Sequence, residues 1–275
     1  MYPILFEWNG FIIPAWHFFY MLAAIAGLFF LFHINLKWNI ELNPKHLSGL
    51  YACSYIGGYF GARALSIYID EWNKVIDYSD IFWLLFSFGP MTFYGGMFGA
   101  SAGAILFANI KGIHKLKILD LGIPCGLLGL CIGRIGCFLN GDDYGIAISE
   151  MMTGQTPWWA VTFSNHYDKI PRVPIQIIES SLVFILVIST YVLKNRFANK
   201  FSSGLCGYIL IISYALIRFL LEYFRGDLRG WVIEGHLSSS QFISLAIVTT
   251  LGPIFIFFKR KRKNYRSQMP GSSQP

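Results

Sequence analysis

Arg63, Arg134 and Arg218 each stand inside a run of residues apolar enough to cross a bilayer, and Glu179 and Glu222 stand in two such runs. An arginine in hydrocarbon is costly and usually faces a protein-lined cavity, which makes each of these a functional candidate by default. Glu222 falls at i+4 from Arg218, and Arg225 lies two turns beyond it on a similar face. On a purely structural reading each arginine snorkels to the interface or pairs with Glu179 or Glu222. Three arginines against two intramembrane acids leave positive charge over, and that surplus favours an anion. Guanidinium groups bind phosphate bidentately and stay charged at any working pH, so a phospholipid head group is the guest this chemistry implies.

The elements that must position these charges are membrane helices. Of 275 residues, 55% are hydrophobic and only 13% charged, against about a quarter charged in soluble domains. That balance excludes an ordinary water-soluble enzyme. The 25 Phe, 15 Tyr and 8 Trp suit interfacial belts. Crossing the hydrocarbon takes roughly 20 apolar residues, and seven spans are predicted, at about 14–34, 47–68, 91–110, 118–139, 174–193, 204–224 and 239–258. The expected fold is an all-α polytopic membrane protein, with residues 81–89 a short segment cut off from the third span by Pro90. The five cysteines, Cys53, Cys125, Cys131, Cys137 and Cys206, show no CxxC pair and no His at ligand spacing, so neither a disulfide framework nor a metal site is expected. Residues 1–13 lack the basic segment of a cleavable signal.

Charge sets the expected orientation. Of the 22 basic residues, 14 fall in the loops after spans 1, 3 and 5 and in the tail from Lys259, whereas the opposite side has only Lys74, Lys169, Arg172, Arg225 and Arg229. The tail is therefore expected in the cytoplasm and the N-terminus outside. The net charge of +7 is a topology signal, with no place for nucleic acid. The three buried arginines then lie about five to seven residues before the outer ends of spans 2, 4 and 6, roughly 8–10 Å below one interface. Residues 1–263 are expected to form one transmembrane domain, with loop 140–173, carrying Trp158, Trp159 and Tyr167, as an external cap partly on the membrane surface. Residues 264–275 are read as a disordered tail. Gly95, Gly99 and Gly103, and the pairs Gly122/Gly126 and Gly129/Gly133, have the spacing of close helix packing. Gly95-Gly96 could also open backbone N–H groups to an anion.

Five motifs in order resemble the bacterial prolipoprotein diacylglyceryl transferases over nearly the whole chain. The segment Gly133-Arg-Ile-Gly-Cys-Phe-Leu-Asn-Gly-Asp-Asp-Tyr-Gly145 is similar to that family's signature, approximately G-R-x-G-N-F-x-N-x-E-x-x-G. Gly61-Ala62-Arg63 resembles its G-[GA]-R, and Phe93-Tyr94-Gly95-Gly96 its F-H-G-G. Pro174, Gln176 and Glu179 resemble H-P-x-Q-x-x-E, and Arg218 through Glu222 to Arg225 the run R-x-x-x-E-x-x-R. Tyr94, Cys137, Asp142 and Val173 depart from the family's usual His, Asn, Glu and His, which marks a divergent member.

The resemblance implies transfer of the diacylglyceryl group of phosphatidylglycerol to the lipobox cysteine of a prolipoprotein in the bacterial inner membrane, with glycerol phosphate leaving. It implies Arg134 and Arg218 as the cations that stabilise developing charge and Arg63 and Arg225 as further anchors of the lipid. Glu222 and Glu179 hold the guanidiniums, Asn140 donates to a phosphate oxygen, and Gly95, Gly96 and Gly145 line the lipid site. Tyr94 serves as a hydrogen-bond donor, or as a proton relay if an arginine lowers its pKa. The nucleophile belongs to the substrate, so Cys137 is read as an apolar filler. No cofactor is expected; the partners are phosphatidylglycerol, the lipobox peptide and membrane lipid, and the protein is expected to be a monomer. Two other classes stay open: a lipid or small-anion transporter, against which the single-leaflet arginines and the lack of an inverted repeat argue, and a non-catalytic lipid-binding protein.

Overall fold

The computed structural model describes residues 2–267 apart from 76, 88, 90, 153, 164–167, 199–200, 228–229 and 234. Pro90 and Tyr167 therefore lie outside the described residues. The chain is mainly helical, and five helical segments are long and apolar enough to cross a membrane among the described residues. They are α1 (Ala15–Lys37), α4 (Phe93–Lys111), α5 (Lys115–Asn140), α7 (Ile175–Arg196) and Leu205–Phe224, which comprises α8 (Leu205–Leu221) and a final 3-10 turn. Two more helices, α2 (Pro44–Ser66) and α9 (Ser239–Ser267), occupy the regions of the second and seventh expected spans. Helix α9 runs to Ser267, four residues beyond 263, where the transmembrane domain was expected to end. Large apolar side chains such as Phe29, Leu106, Ile110 and Ile185 point outward, as they do where lipid rather than water is the solvent.

The chain divides into two compact units. One holds Gly27–Cys125 and Phe197–Cys206. In it, Asn43 caps α2 by accepting a hydrogen bond from Lys45 N at 2.9 Å, and Pro44 occupies the first turn, where its missing N–H is no loss. Helix α2 crosses α4 on glycines. A Cβ on Gly61 would sit 2.4 Å from Gly95 O, and one on Gly99 only 2.0 Å from Gly57 O. The small-residue spacing of α4 is thus a backbone-to-backbone contact that any side chain would force apart. Beyond α2 the chain passes through a π turn (Ile67–Glu71) and a 3-10 turn (Trp72–Lys74) to the short helix α3 (Tyr78–Phe86). Leu50, Ala108, Ile113 and Ile118 form a small core, covered by Leu42, Ala104 and Phe107.

The other unit holds Met1–Ala26, Gly126–Arg196 and Gly207–Pro275. It opens on a hairpin, β1 (Ile4–Trp8) with β2 (Phe11–Pro14), turned by Asn9 and Gly10 at φ 47° and 82°. Both residues tolerate positive φ, which a two-residue hairpin turn requires. Helix α1 then packs on α5 at Gly136, where a Cβ would come within 2.9 Å of Phe19 Cβ. Other α5 glycines do not serve packing as expected: Gly122, Gly126 and Gly133 face open space, and Gly129 has only ordinary contacts with Ala23. After α5 come a single helical turn, α6 (Ile148–Met151), and two two-residue strands, β3 (Val161–Thr162) and β4 (Pro171–Arg172). Past α8, β5 (Trp231–Ile233) and β6 (Leu237–Ser238) make a last hairpin before α9.

Candidate active site

Four residues join three helices of the second unit. Glu179, in the second turn of α7, is 2% exposed and receives Arg134 Nε from α5 at 2.8 Å and Arg218 Nη1 from α8 at 3.5 Å, both on Oε2. Arg218 Nη2 reaches Glu222 Oε2 at 3.0 Å, the i+4 pair that the spacing anticipated. Ser240 Oγ lies 3.3 Å from the same Nη2, and Ser238 Oγ donates to Glu222 Oε1 at 2.8 Å. Tyr214, one turn before Arg218 on α8, donates to Glu179 Oε1 at 3.1 Å. Every charge in this chain is buried and matched by an opposite one, which is how a low-dielectric interior tolerates it.

A second chain of charges starts from the same arginine. Asp143 pairs with Arg134 Nη1 through Oδ2 and accepts from Arg225 Nη2 through Oδ1 at 2.7 Å. Arg225 is held on its other side by Asp227, with Nε donating to Oδ1 at 2.8 Å. Burial works against ionisation of Asp143, but the guanidiniums of Arg134 and Arg225 outweigh it and hold the carboxyl down at about 2, below its usual 3.8. Arg134, Arg218 and Arg225 thus face Glu179, Glu222, Asp143 and Asp227. This corrects the expected surplus of positive charge, because the loops supply acids that a count over the spans omits. At Arg134 Nε the match is imperfect: although close to Glu179, this atom has no aligned hydrogen-bond acceptor among the described residues.

The loop after α5 is shaped to deliver Asp143. Residues 144–147 thread between two other segments, 224–226 and 171–173. Ile146 N donates to Phe224 O at 3.0 Å, Gly226 N to Tyr144 O at 3.0 Å, and Val173 N to Ile146 O at 3.1 Å. A Cβ on Gly145 would lie 2.4 Å from Val173 O, and one on Gly226 2.6 Å from Gly145 O, so both positions need glycine for close approach. Arg172 clamps the thread from the side, with its guanidinium 4.4 Å from the centre of the Tyr144 ring and an ion pair to Asp168. Gln176 Nε2 donates to Asp142 O at 2.6 Å.

Several expected site residues have other work. Arg63, in the first unit, is fully enclosed. It pairs with Glu71 and donates to Leu84 O at 2.8 Å and Ser87 Oγ at 3.1 Å. Lys74 sits 2.8 Å from the same Glu71, whose pKa is lowered by that hydrogen bond and by Arg63 against the opposing effect of burial. Arg63 is therefore an internal brace for the end of α3, where Leu84 and Ser87 lie. Gly95 packs against Gly61 at the α2 crossing, and Gly96 N donates to Thr92 O at 3.1 Å. Gly145 shapes the loop and is buried beside Val173 and Phe224. Asn140 Nδ2 donates to the Asp142 carboxylate. Tyr94, half-buried at the start of α4, has an edge contact with Phe93 and belongs, with Arg63, to the first unit.

Asp143, Asp227, Tyr214, Ser238, Ser240 and Arg172 escaped the sequence reading. Tyr214 carried a usable signal, since it is i−4 from Arg218 and so on the same helix face. The others reach the site through turns whose course no helical period reveals.

Apolar helices of membrane length carrying a buried arginine–carboxylate network define a membrane protein whose charged site is built from α5, α7, α8 and the loop after α5. The chain belongs to the prolipoprotein diacylglyceryl transferase family, which matches residues 3–258. It is 33% identical over 263 residues to the phosphatidylglycerol–prolipoprotein diacylglyceryl transferase of Clostridium tetani, covering 94% of this chain and 97% of that one. It is 30% identical to the protein of the same name from Allorhizobium ampelinum (83% and 77% covered). The Legionella pneumophila (strain Corby) relative of that name is 29% identical, with 82% and 83% covered.

Proposed function

We propose that this chain transfers the diacylglyceryl group of phosphatidylglycerol to the lipobox cysteine thiol of prolipoproteins. In the reaction a sulfur–carbon bond forms at the sn-3 carbon, the bond from that carbon to the phosphate oxygen breaks, and glycerol phosphate leaves with the thiol proton. Negative charge grows on the departing phosphate, and preorganised cations in a low-dielectric site stabilise it. Arg134 carries that role, with Arg218 beside it on the shared Glu179 and Arg225 beside it on the shared Asp143. The observation that supports this most is Arg134 itself, buried, common to both charge chains and left with Nε lacking an aligned acceptor. Glu179 and Glu222 hold the guanidiniums, and Asn140 donates to a phosphate oxygen in exchange for the Asp142 carboxylate it meets here. Tyr94 remains a hydrogen-bond donor in the reaction on the resemblance of its motif alone.

The setting proposed is the bacterial cytoplasmic membrane. Helices α2 and α9 join the five apolar helices as spans, the N-terminus lies outside, loop 140–173 is an external cap, the tail from Lys259 is cytoplasmic, and the protein works as a monomer. Incubating the purified protein with head-group-labelled phosphatidylglycerol and a lipobox peptide tests the reading. Release of labelled glycerol phosphate with a matching mass gain on the peptide cysteine supports it. Lipid binding without either product would point to the lipid-binding alternative.

A further inference from the structure

The phosphate site of the proposed reaction is already occupied by one of the protein's own groups. Asp143 offers one carboxylate oxygen to Arg134 and the other to Arg225. The two guanidiniums are nearly covered, at 9% side-chain exposure each, whereas Asp143 is 35% exposed and so forms the open side of the cluster. Its backbone is turned out of the regular regions at φ 54°, just after Gly141 at φ 85°, on a loop otherwise secured at residues 144–147. Neighbouring Asp142 makes no ion pair with either arginine; its carboxylate accepts from Asn140 instead.

Charge decides what can enter here. With three arginines against four carboxylates the cluster already carries one excess negative charge. A further anion added beside Asp143 would be repelled. A phosphodiester is, like a carboxylate, a monoanion with two equivalent oxygens, so exchanging it for Asp143 keeps both the charge and the two-pronged contact with the guanidinium pair. Resting on the transferase reading, we propose that Asp143 is an internal stand-in for the lipid phosphodiester, displaced when the lipid binds and returning to help expel the phosphate product. Asp143 therefore lowers affinity for lipid and product alike.

The experiment compares wild-type protein with Asp143→Asn, both in detergent, titrated with phosphatidylglycerol and, as a phosphate-free control, diacylglycerol, and followed by thermal shift. If the uncovered state is about one-tenth populated in the wild type, Asp143→Asn should saturate at about tenfold lower phosphatidylglycerol, with diacylglycerol binding unchanged. It should also be inhibited by glycerol phosphate at correspondingly lower concentration. Binding of phosphatidylglycerol that is unchanged within twofold, or weakened, would overturn the proposal. If the variant does not fold, hydrogen exchange on the wild type serves. Amides 142–144 should exchange faster with phosphatidylglycerol than with diacylglycerol, and equal or slower exchange would overturn the idea. The two readings fail separately. Tighter binding by Asp143→Asn with no transfer by wild type would sink the reaction alone, and transfer with unshifted binding would sink only the role of Asp143.

Discussion

Arg134 and Arg218, on different helices, share a single oxygen: Glu179 Oε2 lies 2.8 Å from one and 3.5 Å from the other. Glu179 is thus the joint between α5 and α8 and sets the spacing of the two cations. Glu179→Gln keeps the shape but leaves both guanidiniums short of a buried counter-charge. Breaking a buried pair in this way typically costs about 3–5 kcal/mol. The variant should melt well below wild type in detergent and lose most of its transfer activity. Wild-type melting and turnover would show that Glu179 does not organise the site.

Gly145 tests whether the loop after α5 must be threaded as found. A methyl group there would collide with Val173 O and Cβ, at 2.4 and 2.8 Å. Gly145→Ala should therefore push Asp143 and Tyr144 out of place and cut transfer by at least about tenfold, a barrier change of roughly 1.4 kcal/mol. Arg172→Ala, which removes the clamp over Tyr144 without a clash, should have a milder effect in the same direction. Full activity in Gly145→Ala would mean the loop can relax without consequence.

Asp143 gives a pH signature. Because its folded-state pKa is depressed, to about 2 from 3.8, its contribution to stability is fully present above the unfolded value and is lost as pH falls through the folded one. The melting difference between wild type and Asp143→Asn should be constant from neutrality down to about pH 5 and shrink below about pH 4. A difference that instead changes between pH 6 and 8 would mean another group controls the cluster.

Much of this was legible in the residues. The apolar runs located the helices to within a few residues except at the end of α9, which runs on to Ser267, and Arg134, Arg218, Glu222 and Glu179 stood out as charges in the wrong solvent. The small-residue rhythm of α4 read correctly because Gly61 and Gly57 of α2 meet it, whereas the same rhythm in α5 misled, since Gly122, Gly126 and Gly133 have no neighbour to meet. The Asn9-Gly10 turn was a visible hairpin signal lost in a hydropathy reading tuned to spans. The parts played by Asp143 and Glu71 were not legible, for one reason. Both belong to loops by sequence, and only the folded backbone carries them to the buried arginines, where they cancel charge that a count along the spans leaves over.

The orientation rests on charge asymmetry and can be checked directly. Single cysteines introduced at Trp158, which is exposed, and at Lys263, in a background lacking the native cysteines, should differ in intact cells. An impermeant maleimide should label position 158 and spare 263 until the membrane is opened. Labelling of 263 in intact cells would invert the topology.

The most direct test of the account is transfer by Arg134→Ala, assayed with labelled phosphatidylglycerol and a lipobox peptide, in protein confirmed to be inserted and folded. Losing a preorganised donor to developing charge of this kind removes roughly 3–4 kcal/mol, or two to three decades in rate. Arg134→Lys should recover only part of it, because a single ammonium cannot reproduce the fork that reaches both Glu179 and Asp143. A loss of that size, with partial rescue by lysine, is the expected result; near-normal turnover by Arg134→Ala would contradict the phosphate-stabilising role on which the proposed reaction depends.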